Sequence, residues 1–212
     1  MVRARMRRGL YSISITFRIL IVLSIFLCGL RGLAGIRASE PVRIGVGEGT
    51  AVDLDGTIVD PLKASAGKVV VLIFVRVDCP ISNRYSPTIQ KISRENAGRV
   101  AFWLVYPDRS ESAEQIRKHE KEFGYELPAL RDVQRSLVVE SHARTTPEAA
   151  VFDGNRKLVY HGRIDNLFED FGRARPVPTT HELEDAIHAA LDGKEVANAS
   201  VPGVGCYISD LK

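Results

Sequence analysis

Among the side chains of this sequence, a cysteine occupies the place best suited to chemistry. Cys79 follows the apolar run Lys68–Val77 (KVVVLIFVRV) and precedes Pro80, Ser82 and Asn83, residue types that open helices. A thiol between a buried strand and a helix start faces unpaired backbone N–H groups and the positive end of the helix dipole. Both favour the thiolate, the form that attacks sulfur, so Cys79 is expected to be nucleophilic near neutral pH. Pro80 suits the first helical position, where its missing N–H costs nothing. The polar and helix-starting flanks Asp78, Pro80, Ser82 and Asn83 argue against Cys79 as a small buried hydrophobe. Far downstream, Cys206 lies in a tail with Pro202, Gly203 and Gly205. Flexible flanks would let it reach Cys79 as a resolving thiol, and a free or structural cysteine fits the same spacing.

The elements that must position these thiols follow from periodicity and punctuation. Ala51–Val59 reads as two short strands around the turn dipeptide Asp55-Gly56. Lys68–Val77 is β-branched and too short for a buried helix, which predicts a central strand covered on both faces. Ile81–Glu95 is expected to be helical, and Val100–Val105 (VAFWLV) a second apolar strand. Ser112 and Gln115 stand at capping-box spacing at the head of a helix that closes at Gly124. Asp132–Glu140 predicts a shorter helix. Ala149–Asp153 and Leu158–Gly162 predict a hairpin across Gly154-Asn155. His181–Leu191 places Leu183, Ala186, Ile187, Ala190 and Leu191 on one helical face. Such an order gives an α/β chain, a central mixed sheet flanked by helices with an N-terminal β-hairpin extension.

The first forty residues belong to a different pattern. Arg3, Arg5, Arg7 and Arg8 form a positive segment ahead of the twelve-residue apolar run Ile19–Leu30, and small residues follow at Gly32, Ala34, Gly35 and Ala38. This order predicts a secretory signal peptide over residues 1–38, with an uncleaved membrane anchor as the alternative. Twelve apolar residues fall short of the ~20 that span a bilayer. Export to the periplasm or another extracytoplasmic space follows, and removal of Cys28 with the leader leaves Cys79 and Cys206 in an oxidising compartment.

Charge points the same way. The net charge of +3 is concentrated in residues 1–39, which hold seven of the 29 basic side chains and no acidic ones. Without them 22 basic side chains face 26 acidic ones, a net of −4. A nucleic-acid partner thereby loses its electrostatic basis. Membrane contact is expected only through the leader, if it stays attached.

Several blocks carry a family resemblance. Gly67-Lys68 through Phe74, then Cys79-Pro80-Ile81-Ser82, then Pro87, resemble the active-site strand and helix of the thioredoxin fold. Thr146-Pro147 resembles that fold's cis-proline site, which faces the reactive cysteine and lines the substrate groove. Cys79-Pro-Ile-Ser-Asn-Arg-Tyr85, Tyr160-His-Gly-Arg-Ile-Asp165, Arg175-Pro176 and Gly205-Cys206-Tyr207-Ile208 are similar to exported redoxins of the peroxiredoxin-like (AhpC/TSA) type. The likeness runs from about Gly45 to Ile208. It implies a thioredoxin-like domain over residues 41–208 with a flexible cysteine-bearing tail from about residue 196. It further implies an exported thiol–disulfide oxidoreductase (reductase, isomerase or antioxidant) acting on protein or small-molecule thiols and disulfides.

Departures from the pattern narrow the chemistry. The thioredoxin pair has a second cysteine where Ser82 stands, so the helix start holds one thiol. The peroxidatic pocket needs threonine or serine three residues before the cysteine. Arg76 stands there, which argues against peroxide reduction at peroxiredoxin rates. Copper metallochaperones of this fold carry a second cysteine where Asn83 stands. A copper-delivery protein or a non-catalytic binding module is the alternative function. No metal and no cofactor is expected. His119, His161, His181 and His188 share no ligand spacing and read as surface residues, His142 reads as solvent-facing, and Trp103 reads as core.

Overall fold

The computed structural model describes residues 48–208. The leader, with its signal-peptide or anchor reading, lies outside the described residues. Within them no helix is long and apolar enough to cross a membrane.

The central strand forms where expected. Strand β3 (Val69–Phe74) is buried at every position, and its alternation divides the interior in two. Val69, Val71 and Ile73 point into one core, and Val70, Leu72 and Phe74 into the other. A period of two on a strand covered on both faces requires this division.

Around β3 the elements run in chain order. β1 (Ala51–Asp53) and β2 (Ile58–Val59) pair antiparallel, followed by α1 (Pro61–Ala64), β3, α2 (Pro80–Arg84) and α3 (Ser86–Glu95). Next come β4 (Val100–Tyr106), α4 (Ala113–Phe123), β5 (Ala129–Arg131), α5 (Ser136–Ser141), β6 (Thr145–Thr146), β7 (Glu148–Phe152) and β8 (Leu158–Gly162). The chain then forms β9 (Phe168–Asp170), β10 (Arg173–Ala174), α6 (Glu182–Leu191), β11 (Ser200–Val201) and β12 (Cys206–Tyr207). The main sheet has the order β11-β8-β7-β3-β4-β5-β1-β2. β3 runs parallel to β4 and antiparallel to β7. One core is closed by Ile89 and Ile92 of α3, Ile116 of α4 and Leu183, Ala186 and Ile187 of α6. The other is closed by Leu62 of α1 and by Leu137 and Val138 of α5.

Several elements differ from expectation. The single helix predicted over Ile81–Glu95 is two, α2 and α3, meeting at Tyr85 (φ −81°, ψ −7°), with Pro87 in the first turn of α3. Proline has no N–H for the preceding turn, so the ladder restarts there. The α5 helix occupies only the second half of the predicted Asp132–Glu140 segment. Asp132 stays outside it and accepts the backbone N–H groups of Ser136 and Val138 at 2.8 and 2.9 Å. β5 was not expected: three residues give too short a pattern to read, and its register comes from β4 and β1 on either side. The capping box at Ser112 forms with both of its hydrogen bonds.

The tail pairs at two places along its length. Its glycines and proline suggest a flexible reach, yet β11 lies parallel on β8 with Val201 opposite Gly162. β12 lies antiparallel on β6, with Cys206 opposite Thr146. Gly162 makes this approach possible, because a Cβ there would stand 2.1 Å from the Val201 carbonyl oxygen. The tail glycines serve close packing as well as freedom.

Candidate active site

Cys79 stands at the N-cap of α2 in extended backbone (φ −86°, ψ 109°), and its carbonyl accepts the first helical hydrogen bond, from the Asn83 N–H at 3.0 Å. Its sulfur lies 3.1 Å from the Thr146 carbonyl oxygen and 3.1 Å from the Cys206 sulfur. Cys79, Cys206 and Thr146 thus meet, with Ser82 beside them, although the two cysteines stand 127 positions apart in the chain. Both thiols are free. The Thr146–Pro147 peptide bond is cis.

The two thiols differ in character. Burial alone raises the Cys79 thiol. The Ser82 backbone N–H, the Cys206 thiol, the Ser82 hydroxyl and the Cys206 backbone outweigh it, and the group is held below its ordinary value. Ser82 is fully buried and its hydroxyl has no hydrogen-bond partner among the described residues, which leaves it available to the sulfur beside it. Cys206 is pushed up to about 12, first by burial and then by its hydrogen bond to Cys79 and the charge there. Of the two, the inner sulfur is therefore the one that gives up its proton more readily. Protonated, Cys79 would donate to the Thr146 carbonyl; ionised, it accepts from Cys206. A thiol can do both at once, and ionisation keeps the bond from Cys206 and gives up the one to Thr146.

The backbone just before the cysteine is gripped from both sides. The Val77 N–H donates to Glu111 Oε1 at 2.7 Å, and the Val77 carbonyl accepts from Asn83 Nδ2 at 3.1 Å. Asn83 Oδ1 lies 2.8 Å from His119 Nε2, and His119 Nδ1 lies 2.9 Å from the Tyr106 hydroxyl. Because Asn83 donates to Val77, its oxygen must accept, so Nε2 carries the imidazole proton and Nδ1 accepts from Tyr106. Burial holds His119 below its ordinary value, consistent with this neutral ring. Asn83 is thereby committed to positioning the loop.

His119 corrects the surface reading, being 2% exposed and packed against the rings of Tyr106, Phe123 and Tyr125. A signal was present: Ile116, His119 and Phe123 fall on one helical stripe. Trp103, read as core, is half-buried, with its indole N–H on the Ser65 hydroxyl.

Two further groups escaped the sequence reading. Glu111 is 6% exposed and its Oε2 has no hydrogen-bond partner among the described residues. Burial pushes its carboxyl from 4.5 up to about 7, with Asp108 and Asp78 adding to the rise against the Val77 N–H and Arg76. On the other flank the Tyr85 hydroxyl donates to Asp165 Oδ1 at 2.5 Å, and the same oxygen accepts the Leu167 N–H. This bond ties the ends of the two blocks Cys79–Tyr85 and Tyr160–Asp165. Lone acids and tyrosines carry no spacing signal, so nothing short of tertiary structure could have assigned them.

No protein-family model matches this chain, and no curated protein sequence does. Solved structures do match. A hypothetical protein from Sinorhizobium meliloti is 25% identical, with TM-score 0.63 over 77% of this chain and 91% of its own. An uncharacterized conserved protein from Geobacillus kaustophilus is 22% identical, with TM-score 0.64 over 77% of this chain and 88% of its own. A putative thiol:disulfide interchange protein from Chlorobium tepidum is 19% identical, with TM-score 0.54 over 69% of this chain and 94% of its own. Together with the mixed sheet flanked by helices, they show that the chain has a thioredoxin-like fold.

Proposed function

We propose that this protein is an exported thiol–disulfide oxidoreductase of the redoxin type, with Cys79 as nucleophile and Cys206 as resolving thiol. The observation that carries the reading is the 3.1 Å separation of their sulfur atoms, with the inner thiol held below its ordinary value and the outer one pushed above it. The leader-like first 38 residues support export, and the fold shared with a thiol:disulfide interchange protein supports the reaction class.

The reaction follows from the positions of the sulfurs. The Cys79 thiolate attacks one sulfur of a substrate disulfide; that S–S bond breaks, and the first substrate thiolate leaves and takes a proton from solvent. Cys206 gives up its proton and attacks the Cys79 sulfur of the mixed disulfide, expelling the second substrate thiolate. The protein has then lost two electrons and gained a Cys79–Cys206 bond, and the substrate has become two thiols. An external dithiol returns the protein to its reduced form by the same steps in reverse. The Ser82 N–H and hydroxyl stabilise the thiolate each time it forms or leaves. Arg76 in place of a hydroxyl residue three positions before Cys79 leaves a peroxide without the pocket that peroxiredoxins use. A copper-delivery role loses a ligand, because Asn83 is engaged with Val77 and His119.

Mass analysis after adding a small symmetrical disulfide to the reduced protein tests the reading. The native chain should release both substrate thiols and yield a linked Cys79–Cys206 peptide. The Cys206→Ser chain should release one thiol and stay as a mixed disulfide on Cys79. A native chain that also stops at the mixed disulfide would remove Cys206 from the reaction.

A further inference from the structure

Disulfide exchange needs a straight approach to sulfur, yet Cys79 has no exposed surface. Part of its cover is the tail of the chain, whose Cys206 sulfur lies 3.1 Å away. After β11 leaves β8, residues 202–205 cross to the edge formed by Thr145 and Thr146, where β12 pairs antiparallel. The Ile208 N–H donates to the Arg144 carbonyl at 2.9 Å, and the Ile208 side chain is 3% exposed, within the second core. The arrangement matches the way an extended peptide adds to an exposed strand edge, with backbone bonds giving affinity and alternate side chains giving specificity.

The seated tail shows what this edge accepts. A Cβ at position 205 would lie 2.1 Å from the Thr146 carbonyl oxygen and 2.7 Å from its carbon, both backbone atoms, so only glycine fits before the cysteine. Position 206 brings its sulfur to Cys79. Position 207 is 59% exposed and carries no demand, whereas position 208 is swallowed by apolar neighbours.

We propose that the tail is a tethered substrate mimic, and that the Thr145–Thr146 edge takes in its place an extended polypeptide reading glycine, cysteine, any residue, aliphatic residue. The proposal rests on Cys79 being the exchange nucleophile and adds to it the class of partner. While β12 is seated, extended polypeptides are kept from Cys79; when it leaves, the same backbone bonds are offered to a partner. A tethered strand competes at an effective concentration on the order of millimolar, so a free peptide at about 10 µM should lose to it by roughly a hundredfold.

The probe is the peptide Val-Gly-Cys-Tyr-Ile with its cysteine in a mixed disulfide with a coloured aromatic thiol. The Cys79 thiolate attacks the peptide sulfur, the S–S bond breaks, the aromatic thiolate leaves as the readout, and a Cys79–peptide disulfide forms. One disulfide replaces another, with no net oxidation. Gly205→Val unseats the tail by the clash above, and a chain ending at Val201 removes it altogether, which guards against misfolding of either variant. Both should react about a hundredfold faster than the native chain at about 10 µM peptide, and a Val-Val-Cys-Tyr-Ile probe should lose most of that gain. Equal rates for the native and altered chains, or equal rates for the glycine and valine probes on the open chains, would overturn the proposal. The small symmetrical aromatic disulfide separates the two ideas. If Cys79 of the open chains reacts with it while the peptide preference is missing, only the mimic fails; if Cys79 ignores it, the nucleophile fails and the mimic with it.

Discussion

Cys79→Ser should reduce disulfide exchange by roughly 10³-fold or more while leaving the fold in place, because a hydroxyl does not ionise near neutral pH and the remaining thiol is held protonated. Serine is close in size to cysteine and can keep the hydrogen bond to the Thr146 carbonyl that the protonated thiol makes at 3.1 Å. No cavity opens and no polar group is stranded, so thermal unfolding should shift little. Cys206 then offers the one remaining thiol among the described cysteines. Burial, the largest cause of its raised pKa, still acts on Cys206 once the Cys79 hydrogen bond and charge are gone, so its thiol stays largely protonated at neutral pH. The initial rate of release of a coloured aromatic thiol, measured for the native and Cys79→Ser chains, checks the expectation. Retention of most of the native rate would move the nucleophile elsewhere.

Glu111→Gln should change stability rather than chemistry, and with an unusual dependence on pH. The folded chain holds the Glu111 proton up to about pH 7, and the unfolded chain releases it near 4.5. Between these values the folded state binds more proton, so its stability falls as pH rises through the window. The full shift corresponds to about 3 kcal/mol, present below pH 4.5 and lost above pH 7. Glutamine retains an oxygen for the Val77 N–H and carries no charge. The variant should match the native chain at pH 4.5 and exceed it by about 3 kcal/mol at pH 8 in urea unfolding. Equal stabilities at both pH values would show that the carboxyl ionises in place without penalty. Arg76, Asp78 and Asp108 are the charged groups around it, and the Arg76 contacts to Asp78 (2.6 Å) and Asp108 (3.4 Å) explain why its help to Glu111 is shared.

The parts of this molecule legible in its sequence are those where one physical requirement dominates a short stretch. A six-residue β-branched run allows little but a strand buried on both faces, and β3 is that strand. Ser112 and Gln115 announce their helix because the capping box needs those two side chains at that spacing. Cys79 was readable from its neighbours Pro80 and Ser82, which encode the helix start. Cys206 could be named but not placed, since a tail of glycine and proline fits both a loose segment and one pressed against a carbonyl. The choice depends on Thr146 and Gly162, which lie 60 and about 40 residues away. Glu111 and the Tyr85–Asp165 bond were missed for the same reason: each takes its character from burial, and burial belongs to the assembled sheet and helices, whereas His119 had a sequence signal in its helical stripe with Ile116 and Phe123.

The observations around the sulfur pair combine into one arrangement. Ser82 stands where thioredoxins place a second cysteine, and on the proposed reading it would stabilise a charge in place of supplying a partner. The partner thiol arrives from the other end of the chain on a strand that also closes the site. Supporting groups stand one layer back, with Glu111 and Asn83 holding Val77 and His119 holding Asn83. On the proposed reading, a monothiol helix start with a tethered second thiol would do the work of a dithiol pair, with a second sulfur that can leave.

The most direct test reads the ultraviolet absorbance of the thiolate against pH in the reduced native protein, with the Cys79→Ser chain subtracted. The difference should titrate below the free-thiol value of ~8.5, reporting an anion at Cys79 under neutral conditions. A midpoint at or above that value would mean that burial has won over Ser82 and Cys206, and that the sulfur at the head of α2 is not the activated nucleophile.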